Sequence, residues 1–510
     1  MKISLAYLWV AAVYAAPLNS RQYPDLRGVL TNADNNWSAG TVVSFAGSDE
    51  FHNATSRWTI TGAPTFSAAI SPANEGDVIA AVKLARKYNI PFLATGKRHG
   101  FTTTLKSFHE GLAIDLGQLK TYEIDQVAGT ITMGGSAGIG DFQDDLSEAG
   151  LMIQSGSGSC PGYIGLAVGA GVGRYMGYFG LVTDALISAR VVTSTGELVQ
   201  VSESENSDLF WGMRGAGANL GIITSATFQA HRMADHSDGY VLNADIIFSP
   251  NKSAEYFKYL ESLENKLPGN VAGIHIMSYN EATGEGQLLA NWVWIGPEKE
   301  GREFMNQFLQ LGPASVDNYE YIPWNRLLAT SIGGFGAELL CLKEEYRDFY
   351  TVNLRSMSAS VYQKSFEKLQ KWWEDYPDSR GSYINIEVFP NQATAARGHD
   401  STAYPWRDTI AYIQVGIYAD DPSVQKTIED GTQLALELRQ TWDSTSGYPE
   451  HSIYVNYAHG DETIEQVYRA DKLPRLAGLK KQWDPSNVFG FNNPLPTQYP
   501  VSSNWTRRAI

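Results

Sequence analysis

The sequence predicts an α+β chain of two units, and three observations predict it. Apolar residues recur at helical spacing over 75–88 (Val78, Ile79, Val82, Ala85), and a buried strand-like run, Ile90-Pro91-Phe92-Leu93, follows at once. From about Tyr240 the pattern changes, and strand-like runs alternate with long amphipathic stretches. Glycine is in excess, 48 of the 510 residues, and it is dense in two loops, at 94–100 and 155–173.

Each element follows from its local pattern. Asn89-Ile90 closes the first helix, and 111–116 is a second apolar strand. Residues 130–133 alternate until Gly134-Gly135-Ser136-Ala137-Gly138 breaks the run, and 141–149 reads as a helix. Runs at 186–195 and 198–201 flank Gly196 as a hairpin or meander. In the second unit, 240–248, 273–278 and 287–294 read as strands, and 253–267, 299–311 and 360–375 as helices. The C-terminal stretch holds a helix with an aromatic edge, then Trp483-Asp484-Pro485 and a proline-rich tail. No internal repeat and no low-complexity linker divides the chain.

Composition excludes whole classes of partner. With 39 basic against 55 acidic residues the net charge is -16, a surface that repels nucleic acid and anionic membranes. Residues 1–16 read as a secretion signal: Lys2, then an apolar run too short to span a bilayer, then Val13-Tyr14-Ala15 as a small-residue cleavage pattern. Sequons begin at Asn36, Asn53, Asn251 and Asn504 and fit the same route, so an extracellular monomer is expected. The two cysteines, Cys160 and Cys341, are too few for a disulfide framework or a Cys-rich zinc site. His52, His109, His231, His236 and His459 show no metal-ligand spacing, and no metal is expected.

The glycine loops carry the chemistry. In Ala94-Thr95-Gly96-Lys97-Arg98-His99-Gly100, Gly96 and Gly100 let the backbone turn and approach a ligand. Lys97 and Arg98 place positive charge beside exposed amides, which suits a diphosphate, and His99 adds a nucleophilic imidazole. The second loop, Ser155 to Gly162 and on through Gly165, Gly169 and Gly173, offers bare backbone to a flat ring or a diphosphate. No strand–turn–helix unit with a following acidic residue surrounds it, which disfavours a nicotinamide-type Rossmann domain.

Further motifs follow in order: Ile114-Asp115-Leu116; Phe179-Gly180-Leu181 with Asp184; Asp208-Leu209-Phe210-Trp211 with Arg214-Gly215-Ala216-Gly217; and Asn219-Leu220-Gly221-Ile222-Ile223-Thr224. Tyr454-Val455-Asn456-Tyr457, Leu479-Lys480 and Trp483-Asp484-Pro485-Ser486-Asn487-Val488-Phe489 close the set. Over 58–495 this order closely resembles the berberine bridge enzyme-like oxidases of the vanillyl-alcohol oxidase / p-cresol methylhydroxylase superfamily, and most of all their fungal secreted branch.

The resemblance implies an FAD-binding domain of the PCMH type with two subdomains (58–235), preceded by an N-terminal segment (17–57). A substrate domain (236–440) would cover the flavin, and a berberine-bridge-type segment (441–497) would return to the FAD domain. It implies FAD bonded at the flavin 8α carbon to His99 and cradled by Gly96, Lys97, Arg98, Gly100, Gly162, Gly165, Gly169, Gly221, Ile222 and Asn456. Members with a second bond carry a cysteine that falls here at Gly158. Cys160 lies two residues later, so attachment through His99 alone is expected, and Cys160 is left as a flavin contact, a free thiol or a partner of Cys341.

The implied reaction removes hydride from an alcohol carbon of a carbohydrate or secondary metabolite, with oxygen as acceptor and peroxide as product. Oxidative ring closure in a metabolite, and a catalytically silent flavin-binding protein, are the alternatives. The base is sought among Tyr454, Tyr457 and Glu387. A phenol with a pKa near ~10 needs a cation or a polarising network to serve. Asp184 and Asn219 are expected to hold loops, and Arg214 to meet phosphate or Asp208.

Overall fold

Strands Phe66–Ser71 and Phe92–Thr95 lie on either side of Gly111–Asp115, both parallel to it, and helix Glu75–Lys87 joins the first two as a crossover. The computed structural model describes residues 25–501, so the expected signal segment and the Asn504 sequon lie outside the described residues. Asn74 caps the crossover helix through its side chain, and Val78, Ala81, Val82 and Ala85 are buried against the strands. Val42–Phe45 adds an antiparallel fourth strand. The three sequons inside the described residues have exposed asparagines.

A five-stranded antiparallel sheet follows, in the order Tyr122–Asp125, Thr130–Gly134, Ile222–Gln229, Leu186–Val192, Leu198–Ser202. Its central strand, Ile222–Gln229, begins inside the motif Asn219 to Thr224. The predicted loop 162–173 is in part helical: Tyr163–Gly169 forms two turns. Gly169 explains how the helix fits, since a Cβ there would lie 2.1 Å from Asn456 Oδ1.

The second unit is a seven-stranded antiparallel sheet: Ser315–Pro323, Tyr240–Phe248, Glu285–Ile295, Val271–Asn280, Tyr383–Val388, Ala411–Ile417, Asp348–Leu354. Helices Pro250–Ser262, Glu298–Leu309, Ala359–Asp375 and Gln425–Asp443 supply the core on one face. The other face turns to the first unit. Tyr383–Val388 shows the period of two: Ile384, Ile386 and Val388 pack into the helix-side core, while Tyr383, Asn385 and Glu387 face a cavity between the units. Burying each of those three aliphatic side chains is worth ~1.5–3 kcal/mol, which fixes the register and so the inward direction of Glu387.

The C-terminal segment returns to the first unit. Asn219 Nδ2 donates to the Asn492 and Asn493 carbonyls (both 3.1 Å), and its Oδ1 accepts from Leu495 N–H (2.9 Å). Asp184 also holds structure. It accepts from Arg407 of the second unit, Nη2 to Oδ1 at 2.8 Å and Nη1 to Oδ2 at 3.0 Å, with both side chains buried. Asp184→Asn would leave a guanidinium buried opposite a neutral amide, so unfolding in denaturant should show a loss of ~3–5 kcal/mol.

Candidate active site

The loop that follows Phe92–Thr95 turns through Arg98, whose φ is 59°. Its guanidinium is consumed by the protein: it pairs with Asp115, Nε donates to Ser56 O (2.9 Å), and Nη2 donates to Asn53 O (2.7 Å). Lys97 Nζ sits 2.8 Å from Asp141 Oδ2. Both residues line the cavity, as the sequence led one to expect, but their charged ends are paired with carboxylates, so they also lock the loop, and backbone amides stand beside them for an anion. Arg214 does not meet Asp208 and is not among the cavity-lining residues; it pairs with Glu203 at 2.9 Å, while Asp208 pairs with Arg475.

His99 stacks on Trp58, with ring centroids 4.4 Å apart and planes 20° from parallel, and its Nε2 is 3.2 Å from the Leu340 carbonyl. Burial, with help from the nearby Arg347 and Arg57 charges, lowers its pKa to about 4 against the opposing pull of the Leu340 carbonyl. The imidazole is therefore neutral at physiological pH and keeps one nitrogen lone pair.

A cavity of about 380 Å³ opens beside it, lined from both units. Gly96, Gly100, Gly162, Gly165 and Gly221 present backbone to it, together with Ile222. At Gly165 an added Cβ would meet nothing within 4 Å, so any side chain there would project into the space. At Gly135 a Cβ would lie 2.5 Å from Ile223 O. Such a wall, with no side chains between ligand and main chain, fits a large flat cofactor with a diphosphate.

Across the cavity Tyr457 donates its hydroxyl to Glu387 Oε2 at 2.9 Å. Burial raises the Glu387 pKa to about 7, against the lowering effects of Tyr457, Arg174 and Asn385. Burial and the adjacent carboxylate push the Tyr457 phenol well above its ordinary value. The carboxylate is therefore the group with a proton affinity matched to neutral pH, and the phenol is its hydrogen-bond partner.

Two sequence expectations are corrected here, and the choice left open for Cys160 is decided. Tyr454 does not line the cavity; its oxygen accepts from Gly171 N–H (3.0 Å), Val172 N–H (3.4 Å) and Asn456 Nδ2 (2.8 Å), so it pins the glycine loop from behind. Gly169 stands against Asn456 and not against the cavity. Cys160 is bonded to Cys341, with Cα atoms 5.7 Å apart, so its sulfur is spent and is not a flavin contact. At Gly158 an added Cβ would lie 2.4 Å from Leu340 Cδ2, so that position has no room for a longer side chain while Leu340 stays in place.

The sequence reading missed Trp58, Asn385 and Gln414, which also line the cavity. Asn385 was within reach, because the alternation Tyr-Ile-Asn-Ile-Glu-Val puts it on the same face as Glu387. The Leu340 carbonyl was not, since a backbone atom leaves no signature. Among the described residues, no group of three or more His, Cys, Asp or Glu side chains could hold a metal ion, and no helix is long and apolar enough to cross a membrane.

Tyr454→Phe separates support from chemistry. It removes the acceptor of two buried N–H groups, so stability to denaturant should fall by ~1–3 kcal/mol while the pH at half-maximal activity stays unchanged.

The chain is similar to known proteins over most of its length. Residues 66–202 match the FAD binding domain family, and 453–496 match the berberine and berberine-like family. The FAD-linked oxidoreductase fogF of Aspergillus ruber is 49% identical over 499 residues, covering 98% of each chain. The FAD-linked oxidoreductase srdI of Neurospora crassa is 41% identical, over 98% of this chain and 100% of its own. Among solved structures, the Acremonium strictum glucooligosaccharide oxidase superposes with a TM-score of 0.79 at 21% identity, over 94% of this chain and 99% of its own. A second structure of that oxidase is described as carrying 6-S-cysteinyl, 8α-N1-histidyl FAD. Physcomitrella patens BBE-like 1 gives 0.78 at 20% identity, over 90% and 98%. At these identities the structures speak for the fold.

Proposed function

Since the chain belongs to the berberine bridge enzyme-like FAD-linked oxidoreductases, we propose that it is a secreted, monomeric oxidase. It takes hydride from an alcohol carbon of a small molecule, uses oxygen as acceptor, and carries its FAD bonded to His99. The observation that carries this reading is the Glu387–Tyr457 pair on the wall of the same cavity that His99 lines.

The residues present fit FAD. Gly96, Gly100, Gly162, Gly165, Gly221 and Ile222 would hold it by bare backbone, and neutral His99 has the lone pair a carbon–nitrogen bond requires. Bound FAD supplies the two-electron acceptor. The rest is the work of this chain. Glu387 as carboxylate takes the hydroxyl proton of the substrate, and Tyr457 orients that carboxylate. Gln414 and Asn385 offer amides to the substrate oxygen from the same sheet face.

The wall also favours one substrate class. Ile274, Ile276, Ile332, Phe335 and Leu340 line the same cavity as the polar pair, a lining that suits the apolar body of a secondary metabolite better than the hydroxyl-rich rings of an oligosaccharide. Oxidative ring closure would use the same carboxylate. Peroxide formed with stoichiometric aldehyde or ketone would separate alcohol oxidation from it, and a yellow protein inert to a broad panel of alcohols would sink both. Secretion draws support from residues 1–16 and the exposed Asn36, Asn53 and Asn251.

The pH dependence has a definite sign. Glu387 works deprotonated, so kcat/KM should rise with pH and level off above about 7. Glu387→Gln should lose ~10²–10⁴ in kcat and flatten that rise. Tyr457 lowers the Glu387 pKa by its hydrogen bond, so Tyr457→Phe should move the same rise to higher pH. An unmoved rise would remove Glu387 from the base role.

A further inference from the structure

One row of side chains runs across the cavity-side face of the seven-stranded sheet. Asp245 stands opposite Asn291, Asn291 opposite Ile274, Ile274 opposite Glu387, and Glu387 opposite Tyr412. Two carboxylates therefore share the row, three strand spacings of ~4.8 Å apart, with an asparagine and an isoleucine between them. Both are buried. Asp245 is surrounded by donors: Asn291 Nδ2 at 2.6 Å, Asn318 Nδ2 at 2.7 Å, and the Ile332 and Gly333 N–H groups at 3.0 and 3.2 Å. Four N–H groups around two oxygens suit an ionised carboxylate, which only accepts. None of the four carries a charge.

The compensating charge comes from the first unit. Arg174 follows Gly173 in the second glycine loop, is only 2% exposed, and its Nε and Nη1 have no hydrogen-bond partner among the described residues. Burial lowers its pKa to about 10, against the raising effects of Asp245, Glu387 and Tyr175, so it is charged at neutral pH. Burial and then this same charge lower the proton affinity of His275, the neighbour of Ile274 on the other face of its strand. Asp245, Glu387 and His275 surround Ile274, so the guanidinium stands over the middle of the row. The other groups facing Glu387 are phenols: Tyr383 on its own strand, Tyr412 on the next, and Tyr454 and Tyr457 from the C-terminal segment. A cation in contact with Glu387 would hold its proton affinity too low for a base at neutral pH, and with no cation it would stay protonated. With Arg174 between two carboxylates, the row carries one net negative charge while Glu387 is ionised and none once Glu387 has taken a proton.

We propose that Arg174 is the counter-charge of the catalytic base, acting on Glu387 through space, and that Asp245 takes a share of that charge from the far end of the row. This rests on Glu387 as the base, as proposed above. Neither Arg174 nor Asp245 touches the reacting atoms, and both are positioning residues. Arg174 keeps Glu387 ready to accept the substrate proton, and Asp245 preserves the affinity for that proton which an unshared guanidinium would remove.

The test reads the carboxyl group and not turnover. In the holoenzyme, the infrared band of the Glu387 carboxylic acid, identified by its absence from Glu387→Gln, is followed against pH. Arg174→Met should move the titration up by ~1 pH unit. Arg174→Lys keeps the charge and should move it less. Asp245→Asn should move it down by ~0.5 pH unit, with the band exchanging deuterium no faster than in wild type. Opposite shifts from two buried positions are the mark of charge, since damaged packing would act on both in the same direction. Should Arg174→Met not fold, Asp245→Asn still decides. A titration left in place by Arg174→Met, or moved equally by the lysine variant, overturns the counter-charge. One that Asp245→Asn leaves in place or raises, or lowers only with faster exchange, overturns the share given to Asp245. The role of Glu387 as base stands on the turnover of Glu387→Gln, which this titration does not use, so the two readings fail separately.

Discussion

A glutamate with only 3% of its surface exposed, Glu387, is the constraint around which the cavity is built. Taking a carboxylate out of water is costly, and an unassisted one would simply stay protonated. Glu387 keeps a proton affinity near neutrality because Tyr457 donates to it and Arg174 and Asn385 favour its charged form. The seven-stranded sheet makes that arrangement possible. Its helix-side residues Ile384, Ile386 and Val388 anchor the strand so firmly that the alternate positions have no choice of side. The polar pair is thus held by a hydrophobic core it does not belong to.

The same logic separates the two tyrosines of one motif. Tyr454 precedes and Tyr457 ends a short turn, Val455–Tyr457, and their rings lie 4.8 Å apart. Yet one oxygen is filled by donors from the glycine loop, and the other donates to Glu387. The first joins the C-terminal segment to the first unit, and the second faces the cavity. A residue three positions along a tight turn need not share a face with the first, and only the partners decide which does chemistry.

Much of the fold was legible in the sequence. The crossover helix at Glu75–Lys87 and the strands Gly111–Asp115 and Tyr240–Phe248 stand where periodicity put them, because each buries a continuous apolar stripe. The loop around His99 was legible as a glycine bracket, and Glu387 as part of an alternating strand. The helix Tyr163–Gly169 was not, since its glycines read as a loop and only close packing on Asn456 shows why they are there. Nor were the partners of the cations. A sequence shows Lys97 and Arg98 beside a glycine turn, but not Asp141 and Asp115, which folding brings to them from 44 and 17 residues away.

That last difference has a physical cause that reaches beyond the loop. In a chain with 55 acidic and 39 basic residues, a half-buried cation has abundant carboxylates to meet, and desolvation rewards the meeting. Arg98, Lys97, Arg214 and Arg407 are all spent in this way. Arg57, which lines the same cavity and donates to the Gly100 carbonyl, is not paired in this way in the hydrogen bonds described, but the loop's own two cations offer a large anion little free charge. Main-chain N–H groups supply the rest, and glycine exposes them without cost in shape. The clustering of glycine at 94–100 and 155–173 is therefore the counterpart of the acidic composition: the charges build the walls, and the bare backbone is what they leave facing inward.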